Sequence, residues 1–170
     1  KLIKSNQNLG KGYALKLGVK TARYNWIFTM DSDLSVGFNE INKWIANYEF
    51  KKNYAYFGSR NHKDSIVKKK YHRKLLGIIF QTIVFIFFDK NIKDSQCGFK
   101  LYNKKYAKNI FKKLKTSGFA HDLEIINLLK EKKIIIEELP VTWTHMDKGK
   151  LNVFTHPLKM LIEIILIKLR

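Results

Sequence analysis

Two kinds of apolar spacing alternate along the first third of the chain, and that alternation limits the fold more than any other feature. Residues 10–24 bring Ala14, Leu17, Gly18 and Ala22 to one side at helical spacing. Residues 25–30 (NWIFTM) form a short apolar run that stops abruptly at acids, which reads as a buried strand running into a loop. Helical spacing returns over 38–50 through Ile41, Trp44, Ile45 and Tyr48, and 54–59 (YAYFGS) reads as a second short strand. Helix, strand, helix, strand predicts an α/β fold with a largely parallel sheet. Downstream, the pattern predicts helices over 104–114 and 120–132 and a strand over 134–139 closed by Pro140. No internal repeat or low-complexity linker divides the 170 residues, a length that suits one domain with a real core.

Composition removes several classes. A chain that is 45% hydrophobic and 14% aromatic is not a disordered tail. Cys97 is the single cysteine, so neither a disulfide framework nor a zinc cluster can be built, and a reducing compartment is expected. With 33 Lys and Arg against 14 Asp and Glu, the net charge is +19. Such a surface suits anions, whether nucleic acid, acidic lipid headgroups or phosphorylated small molecules. Almost all of the excess is lysine, abundant together with Asn and Ile as AT-rich coding sequence would give, so charge alone names no partner. Nucleic acid is set aside because the lysines are dispersed and no RNA-binding aromatic–glycine signature occurs. The chain shows no charged-then-apolar leader, and it opens on Lys1 rather than methionine, as a fragment would.

Two apolar stretches bear on membranes. Residues 75–88 (LLGIIFQTIVFIFF) fall short of the roughly 20 residues that cross a bilayer at ~1.5 Å rise each, so a buried or interfacial helix is expected. Lys68, Lys69, Lys70, Arg73 and Lys74 precede it, which suits an anionic membrane surface. Residues 157–170 mix Leu158, Met160, Leu161, Ile164, Ile165, Ile167 and Leu169 with charges, and read as an amphipathic or membrane-proximal helix set apart from residues 1–156. Core packing is the alternative for both.

The strongest local signal for chemistry is Asp31-Ser32-Asp33, directly after the strand NWIFTM. A loop at the carboxyl end of a parallel strand faces the crevice where α/β proteins bind ligands. Two carboxylates there fit a hard divalent cation completed by substrate phosphate oxygens, although the same tripeptide is also ordinary loop and cap chemistry. Gly10-Lys11-Gly12 precedes a helix, where free N–H groups favour a phosphate, but the Walker spacing is missing. Arg60 ends the second strand and puts a cation on the same rim. Of the 14 acids, five lie in Asp31-Ser32-Asp33, in 94–100 (DSQCGFK) and in 119–124 (FAHDLE). For Asp122 and Glu124 the plain alternative is a helix N-terminus that prefers negative charge. Cys97 reads as a small buried apolar residue. The five histidines have no zinc spacing, and no Gly-x-Ser-x-Gly elbow supports a serine hydrolase.

The order of these segments carries a resemblance. NLGKGYALKLGVKTA, DSDLS, GSR, DSQCGFKLY, FAHDLEI and ELPVTWTHMDKGKL, in that order, resemble glycosyltransferase family 2, and within it the transferases that place glucose on dolichyl or bacterial polyprenyl phosphate. The likeness runs from Asn6 to about Arg170. It implies the GT-A fold, an α/β sandwich for a nucleotide sugar and a divalent cation (Mg²⁺ or Mn²⁺), with the domain's first strands preceding Lys1, so that 1–156 would be its C-terminal two-thirds. It also implies residue roles. Asp31 and Asp33 match the metal-binding pair; Gly10, Lys11, Gly12 and Arg60 fall on the donor side. Arg73, Gln96 and Lys150 fall near the acceptor phosphate, and Asp94 and Asp122 match the carboxylates closest to the chemistry, with Glu124 beside the latter. His121 stands where a Phe is usual, and Lys148-Gly149-Lys150 replaces Gly-Ser-Lys. The implied reaction is inverting transfer of glucose from UDP-glucose to a polyprenyl or dolichyl phosphate at the cytoplasmic face of a membrane. Mannose or an amino sugar, or a fold that has lost catalysis, are the alternatives.

Overall fold

A computed structural model describes residues 2–68, 91–146 and 155–169. The elements, in chain order, are α1 (Lys11–Thr21), β1 (Trp26–Thr29), α2 (Asn39–Asn47), β2 (Tyr54–Ser59), β3 (Ile66–Lys68), β4 (Lys100–Asn103), α3 (Lys104–Lys113), α4 (His121–Glu131), β5 (Ile135–Pro140), β6 (Thr142–Thr144) and α5 (Thr155–Lys168). Each helix and strand expected in the first third, and each expected over 104–139, is present, with ends displaced by three residues at most. The apolar run 75–88, Arg73 and Lys148-Gly149-Lys150 lie outside the described residues.

The main sheet has the order β1-β4-β2-β5, and a second, two-stranded sheet pairs β3 with β6 in parallel. The pairing β2·β5 is parallel, while β4 runs antiparallel to both β1 and β2. Three of the four main strands therefore point the same way, but the expectation of a largely parallel sheet needs one correction: a reversed strand occupies an interior place. The sequence hides β4 because all four of its residues are buried, so Lys-Leu-Tyr-Asn shows no apolar–polar alternation. The strand passes straight into α3, whose N-terminus is capped by Asn103 Oδ1 accepting from Lys105 N at 3.0 Å.

The sheet's two faces bury different chemistries. Along β2, Ala55 and Phe57 face one cluster and Tyr56 the other, as the period of two in a strand requires. The first face carries α1, α3, α4 and α5 over an aliphatic core that includes Val19, Ile110, Leu123, Ile126 and Leu129. The second is aromatic. Trp44 of α2 meets Phe99 edge-on at 4.8 Å between ring centroids and donates its Nε1 proton to Pro140 O at 2.9 Å. On α5, Ile164 and Ile167 join the aliphatic core, while Ile162, Ile165 and Leu166 are exposed, as is Leu169 just beyond its end. Among the described residues no helix is long and apolar enough to cross a membrane.

Candidate functional site: three ion pairs at the strand ends

Because β4 is reversed, its first residue lies at the same end of the sheet as the last residues of β1 and β2. Lys100 is in register with Thr29 on one side and Phe57 on the other. Asp31 and Asp33 leave β1 at this end, Arg60 leaves β2, and the loop 94–98 enters β4 here. Three cations and three of the expected acids pair around this rim.

The first pair is Lys11 with Asp31, Nζ to Oδ1 at 2.6 Å, and both side chains remain partly open to solvent. Asp31 lies over Gly98, where a Cβ would come within 2.5 Å of its carboxylate. Burial works to lower the Lys11 pKa, but the charges of Asp122 and Asp31 outweigh it and hold the ammonium above its ordinary value. Asp33 is exposed and accepts from Ser35 N at 2.9 Å, closing a turn in which Leu34 has φ of 58°.

The loop 10–12 is built differently from a phosphate cradle. Gly10 has φ of 99°, and a Cβ there would lie 2.4 Å from Ser117 O. A Cβ on Gly12 would lie 2.5 Å from Thr116 O and 2.8 Å from His121 Cβ, and the Gly12 amide already donates to Ser117 O at 2.8 Å. The glycines let α1 press against the turn 116–118, and Lys11 is the residue of the three that reaches the rim acids.

The second pair is a fork. Arg60 Nε donates to Asp94 Oδ2 at 2.7 Å and Nη2 to Oδ1 at 2.8 Å, while the Arg60 amide adds a third bond at 2.9 Å. Gln96 N donates to the same carboxylate at 3.3 Å. Burial alone would raise the Asp94 pKa; hydrogen bonds and charge from Arg60 outweigh it and hold the carboxyl below its usual range. Glu138 of β5 pins the loop from below by accepting from Lys93 N at 3.0 Å and Asp94 N at 2.7 Å. The guanidinium lies 5.7 Å from the Trp143 ring centroid. Asp94 is thus a fully engaged acceptor whose product is a fixed Arg60.

The third pair is buried. Lys100 Nζ bonds Asp122 Oδ1 and donates to Ser95 O at 3.1 Å, with the Phe57 ring 4.8 Å away. Burial pushes the Asp122 pKa up, but His121, Lys100 and Lys11 together bring it below the usual value. His121 is also buried: its Nδ1 meets Gly118 O at 2.8 Å, and burial lowers its pKa. Its Nε2 comes within 3.4 Å of Asp122 Oδ1 without hydrogen-bond geometry, and among the described residues it has no hydrogen-bond partner. Gln96 Nε2 is buried and unpartnered in the same sense.

Glu124 ties down the turn that packs on the glycine loop, accepting from Lys115 N at 3.0 Å and Thr116 N at 2.7 Å. Glu163 of α5 accepts from Ala120 N at 3.0 Å, at the start of the helix that carries Asp122. Cys97 is buried, and burial pushes its thiol up to about 11, so it stays protonated as expected of a small apolar filler. Sequence reasoning missed Lys100, Glu138, Trp143 and Glu163. For Lys100 one signal existed: a single lysine inside the otherwise apolar run Phe99 to Tyr102.

Acids, cations and a glycine loop thus gather at the strand ends of a mixed α/β sheet, the end at which open α/β sheets bind their ligands. Residues 1–111 match the family described as Glycosyl transferase family 2, and the chain belongs to that family. Its fold is accordingly the GT-A α/β fold. The chain is 33% identical over 182 residues to a dolichyl-phosphate beta-glucosyltransferase of Saccharomyces cerevisiae, a match covering 99% of this chain and 54% of the relative. It is 34% identical to the protein of the same name from Dictyostelium discoideum (100% and 54% covered) and 32% identical to the one from Homo sapiens (96% and 53%). The chain spans about half the length of these curated relatives. Family 2 enzymes generally use divalent cations. Among the described residues no three His, Cys, Asp or Glu side chains gather to hold a metal ion.

Proposed function

We propose that the protein transfers glucose from UDP-glucose to dolichyl or polyprenyl phosphate, with inversion, at the cytoplasmic face of a membrane. The observation that carries this reading is the likeness to dolichyl-phosphate beta-glucosyltransferases, 32–34% identical over nearly the whole chain. An oxygen of the lipid phosphate attacks the anomeric carbon, the bond from that carbon to the diphosphate oxygen breaks, and UDP leaves with the electron pair. An α-linked donor becomes a β-linked lipid phosphosugar. The attacking oxygen is already anionic at neutral pH, so the residues must position and balance charge more than move protons.

Asp31 and Asp33 suit a magnesium or manganese ion. Two partly or fully exposed carboxylates in one turn leave the ion's other positions to phosphate oxygens and water, as magnesium prefers. Such an ion would neutralise the departing diphosphate. Lys11 pairs with Asp31 here, and with an ion held on Asp31 its ammonium would be free to meet the donor phosphates. Gly10 and Gly12 hold Lys11 in reach, and Arg60 offers the donor phosphates the Nη1 that its fork on Asp94 leaves out. Asp94 and Asp122 act through their partners, Arg60 and Lys100, as positioning residues. On the acceptor side the buried Gln96 amide, unpartnered among the described residues, suits a phosphate oxygen. Arg73 and Lys150, outside the described residues, are assigned to the same phosphate on the family resemblance. The +19 charge and the exposed apolar side of α5 suit an anionic membrane surface, with 157–170 as its membrane-proximal segment.

The test uses the full-length protein in detergent with polyprenyl phosphate, comparing UDP-glucose with GDP-mannose, each with Mg²⁺ or with EDTA. Glucose transfer that EDTA abolishes is expected. Transfer from GDP-mannose alone replaces the sugar assignment, and no transfer from either donor overturns the reading.

A further inference from the structure

Of the three rim cations, Lys100 alone is shut off from water: its side chain is 1% exposed, against 26% for Lys11 and 27% for Arg60. An ammonium is stable in a protein interior only where its protons are met. Here they are met by groups from three places: Asp122 on α4, Ser95 O in the loop 94–98, and the face of Phe57 on β2. As a counter-ion for Asp122, Lys100 would need only the first. The bond to Ser95 O does something else, because of where that loop sits.

The loop is fixed at both ends. Asp94 is held by Arg60 and by the Glu138 carboxylate, and Gly98 O accepts from Thr29 Oγ1 at 3.2 Å. Between these ends lie Ser95 and Gln96. Among the described residues the Ser95 carbonyl receives its bond from Lys100, and the next side chain, Gln96, points a buried amide at no protein acceptor. We infer that Lys100 is a positioning residue: by bonding Ser95 O while neutralising Asp122, it fixes the middle of the 94–98 loop relative to α4 and so aims Gln96 at the acceptor phosphate. This deepens the transferase reading above and rests on it for the identity of the acceptor. The anchoring itself stands on the geometry alone.

The experiment compares full-length wild type, Asp122→Asn, and Lys100→Met combined with Asp122→Asn. Lys100→Met alone would leave Asp122 buried without a counter-ion and can fail to fold, whereas in Asp122→Asn the Lys100 amine can shed its extra proton and still donate to the new amide oxygen and to Ser95 O; the double variant removes both charges and keeps side chains of similar volume. Two readouts are taken: KM for polyprenyl phosphate and for UDP-glucose, and amide hydrogen exchange of the peptide covering 93–99. Relative to Asp122→Asn, the double variant is expected to raise the lipid-phosphate KM about tenfold while the UDP-glucose KM stays within about twofold, the loss of one positioning contact being of that order. Exchange over 93–99 is expected to quicken while exchange in β2 and α3 does not. Equal acceptor KM and equal exchange in the two variants would reduce Lys100 to a counter-ion and overturn the inference. So would a double variant that fails to fold where Asp122→Asn folds, since Lys100 would then serve the whole core. If wild type transfers no sugar at all, the transferase reading fails separately, and exchange over 93–99 still decides the anchoring.

Discussion

The acids at the strand ends fall into two halves that burial has made chemically different. Asp94 and Asp122 are 2% and 4% exposed, each with a cation in direct contact and its pKa held down. Asp31 is 37% exposed and Asp33 is on the surface. The Asp94 carboxylate has its lone pairs taken by Arg60 and the Gln96 amide and cannot also take a ligand, and Asp122 is spent on the buried Lys100; the use of each is to hold its cation still. An open carboxylate can exchange partners. The locked half therefore orients Arg60 and the 94–98 loop, and the open half is the one able to receive a ligand.

This contrast is broken most severely from the locked side. Asp94→Asn leaves the Arg60 guanidinium in its half-buried place without the anion that compensates it. We expect a loss of about 3–5 kcal/mol in denaturant unfolding, the range for breaking one partner of a buried pair. A loss below about 1 kcal/mol would place the pair in effect at the surface. The same half sets the response to acid. The folded pKa values of Asp94 and Asp122 lie below 3.8, so their stabilisation is complete above that value and is lost as pH falls through the lower, folded values. His121 acts in the same direction earlier. Its folded pKa lies below 6.5, so the unfolded chain takes up a proton first and stability starts to decline as pH drops past about 6.5. His121→Phe is expected to flatten that first decline and to leave the Asp94 part of the second, as pH-dependent melting would show.

On the open side, Asp31→Ala and Asp33→Ala should change function and spare the fold. We expect metal-dependent transfer to fall at least about 100-fold, near 2.7 kcal/mol at 1.36 kcal/mol per factor of ten. Far-ultraviolet circular dichroism should not change. Undiminished turnover in either variant removes the metal assignment. Gly12→Ala lies between the halves: its Cβ would press on Thr116 O at 2.5 Å and His121 Cβ at 2.8 Å, so the turn must shift, at a cost of about 1–3 kcal/mol. Wild-type stability in that variant would mean that the loop and the turn are not in contact in solution.

The legibility of these residues follows the same division. Asp31 and Asp33 could be read because they interrupt an apolar strand, and such a break marks a strand end whatever the tertiary structure does. The helix and strand positions were legible for the same reason, since period and termination are local. The partners of the buried acids were not legible. Lys100 lies 22 residues before Asp122, and Glu138 44 residues after Asp94, so their pairing exists only once β4 has inserted between β1 and β2. Nothing local announces that insertion, because a fully buried four-residue strand has no alternation. The glycine loop was legible as a helix entry with N–H groups suited to a phosphate, but the sequence could not say that the group pressed against it is Ser117 O.

The finest test of the contrast lies in Lys11, which belongs to the open half yet forms an ion pair. Its contact with Asp31 is short, but both side chains are partly solvated, so Lys11→Met should change stability by less than about 1 kcal/mol. The consequence expected is in competition. In the free protein the ammonium occupies an Asp31 oxygen that a divalent cation would use, so its removal should tighten Mn²⁺ binding in the absence of nucleotide, read from the free-Mn²⁺ signal in electron paramagnetic resonance. The same variant should weaken UDP-glucose, because the ammonium proposed to meet the diphosphate is gone. Tighter Mn²⁺ with weaker donor sharpens the division, since it shows an acid of the open half exchanging a protein cation for a bound one. Unchanged Mn²⁺ affinity would instead mean that Lys11 holds Asp31 as firmly in function as Lys100 holds Asp122, and the two halves would then differ in exposure alone.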